Sequence, residues 1–214
     1  MSLFIAADWA GDPGFRRGAT PRCAMAVVSY ASAVEIDAAL EDVRRARRLR
    51  PGFEFKYGDT LESVALAFAE RIAQTSVAAV VTVYDKAALD PPWAWGKDDD
   101  LLAALMARAI LLLPRESVEG ARVFVDGDAE AKKLARMVRP LLSRQMVAWG
   151  LDYRIGKITK GESSKNAGIQ VADMIGGSAV AAVERRTTDT PMLRRLHGKV
   201  TIDVIAQETE KPTK

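Results

Sequence analysis

Hydrophobic and polar positions alternate between two rhythms along this chain. "SLFIAAD" is a short apolar run closed by an acid, and "CAMAVVSY" is a second, so the Gly/Pro/Arg segment between them predicts a hairpin loop. "SAVEIDAALEDVRRARRLRP" carries Val34, Ile36, Leu40, Val43 and Leu49 at near-helical spacing and predicts a helix ended by Pro51. "FEFKY" is short and aromatic, alternating Glu54 and Lys56 with Phe53, Phe55 and Tyr57 as a strand would. "TLESVALAFAERIAQ" predicts a helix capped by Thr60, and the β-branched run "SVAAVVTVYD" predicts a strand.

Beyond the loop "LDPPWAWGKDDD", the pattern predicts a helix over "DDLLAALMARAILLL" and a strand over "ARVFVDGD". A long helix follows over "AEAKKLARMVRPLLSRQMVAWG", with a kink or break at Pro140. "DYRIGKITK" predicts a strand, and "NAGIQVADMIGGSAVAAVE" a helix capped by Asn166 or Ser164. "KVTIDVIA" predicts a last strand. A hairpin start followed by strand–helix alternation argues an α/β or α+β domain with a mixed sheet and helices on its faces. Residues 1–206 form one domain on this reading, and 207–214 are a polar, loose tail.

Composition narrows the chemistry. Of 214 residues, 49% are hydrophobic and 28% charged, and the net charge is only +3, so no polyanion partner is named by charge alone. The single cysteine, Cys23, and single histidine, His197, exclude a disulfide framework and thiolate or histidine metal clusters, and make a Ser/His/Asp triad a poor candidate. Cys23 reads as a packed small residue and His197 as a surface or turn residue. No G-x-G-x-x-G follows the first strand, and no Walker-type phosphate loop is present. No apolar run approaches the roughly 18 residues of a membrane span, and the first residues lack a signal-peptide pattern; a cytoplasmic protein is the expectation.

Acids fall where a sheet enzyme needs them. Asp8 ends or interrupts the first strand, Asp126 ends the "VFVDGD" strand, and Asp85 ends another. Asp173 lies in the late helix, which is otherwise apolar or small nearly all round, and Glu54 sits among aromatics. An unpaired buried carboxylate is costly, so Asp173 either reaches solvent or meets a partner. Its helix also carries Gly176 and Gly177, each costing about 1 kcal/mol relative to alanine, which points to close packing. Gathered together, Asp8, Asp126 and Asp173 would be an all-oxygen ligand set suited to Mg²⁺ or Mn²⁺. Two such ions activate water and stabilise a leaving oxygen in phosphodiester cleavage.

Four motifs carry a family resemblance. "FIAADWAGD", "FEFKY", "VFVDGD" and "GIQVADMIGGSAV" resemble, in order and spacing, the strand, Glu-x-Lys element, strand-end Asp and Gln-x-x-Asp helix of a bacterial and phage family catalogued as domain of unknown function 3800. The resemblance implies a ribonuclease H-like α/β fold, a mixed β-sheet with helices packed on its faces. It implies a hydrolase, a divalent-metal-dependent nuclease or related phosphoryl-transfer enzyme with Asp8, Glu54, Asp126 and Asp173 as catalytic residues. Asp8, Asp126 and Asp173 are then metal ligands, Lys56, Gln170 and Lys165 contact substrate, and nucleic acid is the expected partner. Where the family has Asp-Glu-Ser-Gly, this chain has Asp8, Trp9, Ala10 and Gly11, which keeps open a second reading, a catalytically degenerate binding module. A third is a phosphatase with Asp126 as nucleophile and Asp128 as its partner, on the Asp-x-Asp pattern. Arginines at 44, 45, 47, 48 and 50, with Arg16, Arg17, Arg22, Lys157 and Lys160, read as solvated faces or as a backbone-binding surface. Trp93 and Trp95 read as base-stacking or packing rings.

Overall fold

The computed structural model describes residues 3–15, 18–86, 98–127, 129–152, 154–187 and 190–205. Arg16, Arg17, Trp93, Trp95, Asp128 and the 207–214 tail lie outside them. The elements are β1 (Phe4–Ala10), β2 (Arg22–Tyr30), α1 (Ala33–Ala46), α2 (Glu62–Ile72), β3 (Ala78–Asp85), α3 (Asp98–Leu112), α4 (Arg115–Val118) and β4 (Arg122–Asp126). They continue with α5 (Ala129–Ala148), β5 (Ile158–Gly161), α6 (Ala167–Glu184), α7 (Pro191–Arg195) and β6 (Val200–Ile205). The six strands form one sheet in the order β5-β4-β1-β2-β3-β6. β1, β2 and β3 pair antiparallel, while β4 runs parallel to β1, β5 to β4 and β6 to β3. The sheet is mixed, as the hairpin start requires.

Side-chain alternation divides the core. Ile5 and Ala7 of β1, with Val123 and Val125 of β4, point to the face covered by α3, α4 and α5. Phe4 and Ala6, with Phe124, point to the face covered by α1, α2, α6 and α7. Because successive residues of a strand face opposite ways, Asp8 and Asp126 belong with the second set and Trp9 with the first. Trp9 does pack on the α3/α5 side. Of the two positions where this chain departs from Asp-Glu-Ser-Gly, Trp9 therefore lies across the sheet from Asp8, while Ala10 lies on the same side as Asp8.

Several local expectations give way to tertiary context. Helix α1 stops at Ala46, five residues before Pro51, because Arg48 enters the left-handed region at φ 54° and the Leu49 N–H turns back to the Arg44 carbonyl at 2.9 Å. Thr60 is not a cap: α2 starts after Leu61 with no side-chain cap, and the Thr60 hydroxyl is buried without a hydrogen bond. Helix α5 runs through Pro140 unbroken; Pro140 is on the exposed side of the helix, where an unpaired carbonyl costs less than it would in the core. "FEFKY" joins no strand ladder. It nonetheless keeps its alternation, with Phe55 fully buried against Phe53 and Phe68 and Glu54 and Lys56 turned outward. β5 is confined to four residues, and Asn166, not Ser164, caps α6 by accepting from the Ile169 N–H.

Candidate active site

Register places the first two acids. Ala7 of β1 is level with Val125 of β4, and Asp8 and Asp126 are the next residue on each strand. Asp8 is interior to β1, because the strand continues to Ala10 against β2 with Asp8 opposite Ala26. The parallel ladder with β4 ends just before it, so Asp8 and Asp126 flank the point where those two strands part. Both face α6.

Helix α6 lies against β1 and β2 over its length. Its small residues permit this approach. A Cβ on Gly176 would stand 3.1 Å from the Ala26 Cβ and 3.9 Å from that of Ala10, and one on Gly177 would stand 2.4 Å from the Tyr57 ring. Ala10 thus meets α6, where a larger side chain would press against Gly176. The same face of α6 presents Asp173, half-buried, whose carboxylate accepts the Tyr57 backbone N–H.

The electrostatics record how the acids sit. Burial, then repulsion from Asp173 and Asp126, pushes Asp8 up to about 7 from its ordinary 3.8, while the Trp9 N–H at 2.8 Å and Lys56 pull the other way. Burial also raises Asp173, against the Tyr57 N–H and Lys56, with Glu54 and Asp126 adding repulsion. Lys56 stands 3.3 Å from Glu54, and that hydrogen bond and charge raise its own pKa. Negative charge is therefore collected beneath α6 and, among the described residues, is partly balanced by the Lys56 ammonium group.

Ser163, which the sequence did not single out, and Arg44, read there with the arginines of a solvated or backbone-binding face but 11% exposed here, hold this region together. Ser163, in the 3-10 turn Ser163–Lys165 after β5, donates its N–H to Asp126 Oδ1 at 3.2 Å and its hydroxyl to Glu54 Oε1. Arg44 of α1 turns inward; it donates to the Phe53 carbonyl at 2.8 Å, stacks 5.2 Å from the Phe55 ring centre and reaches Gln170 at 3.4 Å. Gln170, expected at the substrate, is 4% exposed, with its amide engaged at both ends: Oε1 accepts the Phe55 N–H at 3.1 Å and Nε2 donates to the Ser163 carbonyl at 2.8 Å. Lys165 is exposed and pairs with Glu162, which lowers the pKa of that acid. Asp85 is salt-bridged to Arg22 at 3.0 Å across the β2–β3 ladder. His197 is exposed, and Cys23 is buried, its thiol pushed up to about 12 by burial.

An open cleft of 370 Å³ runs over Glu54, Lys56, Asp126, Gly127 and the turn from Gly161 to Ser164. A larger groove of 750 Å³ lies between α1 and α2, away from these acids, where Asp42 pairs with Arg45 and Arg71. The donor chemistry of Asp8, Asp126, Asp173 and Glu54 fits a hard divalent cation. Among the described residues, however, no three His, Cys, Asp or Glu side chains are arranged closely enough to hold an ion as they stand.

Comparison with solved structures decides the fold. Ribonuclease HII from Archaeoglobus fulgidus, in its complex with PCNA, superimposes with a TM-score of 0.55 over 92% of this chain and 86% of that one, at 16% identity. The fold is ribonuclease H-like. Ribonuclease H2 from Pyrococcus horikoshii OT3 overlaps at a TM-score of 0.46 and 13% identity, covering 86% of this chain and 75% of that one. At such identities the likeness is one of fold. No protein-family model matches the chain, and no curated protein matches it in sequence. Among the described residues no helix is long and apolar enough to cross a membrane.

Proposed function

We propose that this chain is a divalent-metal-dependent nuclease, or a related phosphoryl-transfer enzyme, acting through Asp8, Glu54, Asp126 and Asp173. The observation that carries the reading is geometric: strand register and alternation put Asp8 and Asp126 on the face of the sheet that α6 covers, and α6 brings Asp173 to the same side. A half-buried strand carboxylate within electrostatic reach of two others, with the exposed Lys56 nearby, is an arrangement that a cation stabilises. The ribonuclease H-like fold supports it, and so does the resemblance of the four motifs to family 3800.

Asp8, Asp126 and Asp173 would hold Mg²⁺ or Mn²⁺, with Glu54 completing the set. The cation would supply charge neutralisation at a phosphate and an acidified water. Lys56, 47% exposed on the rim of the cleft, would contact a phosphate oxygen once Glu54 turns to the ion. No histidine lies in the site to act as general base.

The test is a Mn²⁺ titration with cleavage assays on single-stranded RNA, single-stranded DNA and an RNA–DNA hybrid. Saturable binding, with cleavage lost in Asp8→Asn and Asp173→Asn, is the expected result. A second reading, a degenerate binding module, is favoured by the absence of a preformed three-acid cluster among the described residues. It predicts nucleic-acid binding that is indifferent to Mn²⁺ and to both substitutions.

A further inference from the structure

We propose that Ser163 is a positioning residue of this site, holding Asp126 and Glu54 side by side for a divalent cation. The inference rests on the metal-dependent reading above. Two donors of one residue, its N–H and its hydroxyl, serve carboxylates from two distant segments: Asp126 at the end of β4 and Glu54 on an unpaired loop. Donors that close together bring their acceptors close together, against the mutual repulsion of two like charges. Ser163 occupies one oxygen of each acid, Oδ1 of Asp126 and Oε1 of Glu54.

Glu54 needs such a tether. It sits on a segment with no strand partner, is 26% exposed, and shares the same Oε1 with Lys56 at 3.3 Å. Without the hydroxyl, Lys56 and repulsion from Asp126 both draw Glu54 toward solvent. Ser163 is fixed in turn from behind. The buried Gln170 amide ties the Ser163 carbonyl to the Phe55 N–H, the residue next to Glu54. The result is a closed ring of Gln170, Ser163, Glu54 and Phe55, anchored on the helix that carries Asp173. Hydrogen bonds that orient ligating side chains commonly change metal affinity by roughly 10–100-fold when removed.

Alanine at 163 isolates the hydroxyl, because the N–H to Asp126 and the carbonyl to Gln170 are backbone groups. Mn²⁺ binding to the full chain is measured by calorimetry at pH 8 for wild type, Ser163→Ala, Ser163→Thr, Glu54→Gln and the Ser163→Ala/Glu54→Gln double variant. Ser163→Ala should bind Mn²⁺ roughly 10–100-fold more weakly, and Ser163→Thr should recover most of the loss. The double variant should bind no more weakly than Glu54→Gln alone, because the hydroxyl acts through Glu54. Wild-type affinity in Ser163→Ala overturns the inference while leaving the metal site standing. Additive losses in the double variant overturn it even if Ser163→Ala folds poorly. A wild-type protein that binds no Mn²⁺ overturns the metal reading itself, and this inference with it.

Discussion

Asp8→Asn is the sharpest perturbation of the acid site, because it removes one charge and leaves an oxygen to accept the Trp9 N–H. In the folded chain burial and two neighbouring acids hold Asp8 at about 7, against an ordinary value of 3.8. The folded state therefore binds a proton that the unfolded state has already released. Stability from this group is fully present below about pH 4 and is lost as pH rises through about 7. At roughly 1.4 kcal/mol per pH unit, the gap amounts to about 4 kcal/mol by pH 8, of which about 2–3 kcal/mol disappears between pH 5 and pH 8. Urea unfolding in a chelator at both pH values measures it. Asp8→Asn should be more stable than wild type at pH 8, and the difference should shrink at pH 5. Saturating Mn²⁺ should restore the wild type and do nothing for the variant. Wild type and variant profiles that run parallel within about 0.5 kcal/mol, where the linkage relation demands divergence, would refute the claim that Asp8 bears uncompensated repulsion.

Other expectations follow from the packing around the acids. Gly177→Ala sets a Cβ 2.4 Å from the stem of the Tyr57 ring and should destabilise by about 1–3 kcal/mol in urea. Gly176→Ala, whose Cβ meets that of Ala26 at 3.1 Å, should be close to neutral, since about 1 kcal/mol of helix propensity offsets the contact. Gln170→Leu strands the buried Phe55 N–H and should cost about 1–3 kcal/mol by thermal or urea unfolding, with faster amide exchange at Phe55. Arg44→Ala removes the bond to the Phe53 carbonyl and the stack on Phe55, and should lower stability by about 1–3 kcal/mol while leaving Mn²⁺ affinity within about threefold.

The elements were largely legible because periodicity is a local signal. The runs at Phe4–Ala10, Arg22–Tyr30 and Ala78–Asp85 read as strands from their apolar, β-branched content, and the hairpin followed from the loop between the first two. Ends were less legible. Pro140 is tolerated on a solvent face, and Arg48 takes a left-handed conformation that its residue type does not announce. The one-turn helices α4 and α7 are too short to show a period. "FEFKY" carried the alternation of a strand without the ladder, because its amide bond goes to the Gln170 side chain instead of to a neighbouring strand.

The sequence by itself determined which residue types were available: acids on strand ends and on a small-residue helix, no histidine or thiol cluster, and a mixed-sheet order of elements. Only the tertiary structure decided their relations. The parallel β1–β4 register levels Asp8 with Asp126, and strand alternation sends Trp9 to the far face. The contacts that hold Glu54 come from Ser163 and, through Phe55, from Gln170, each more than a hundred residues away in the chain. Pairings between segments so distant depend on strand order and on the seat of α6. No local pattern records those, because each is fixed by burial of whole faces and not by the residues that end up in contact.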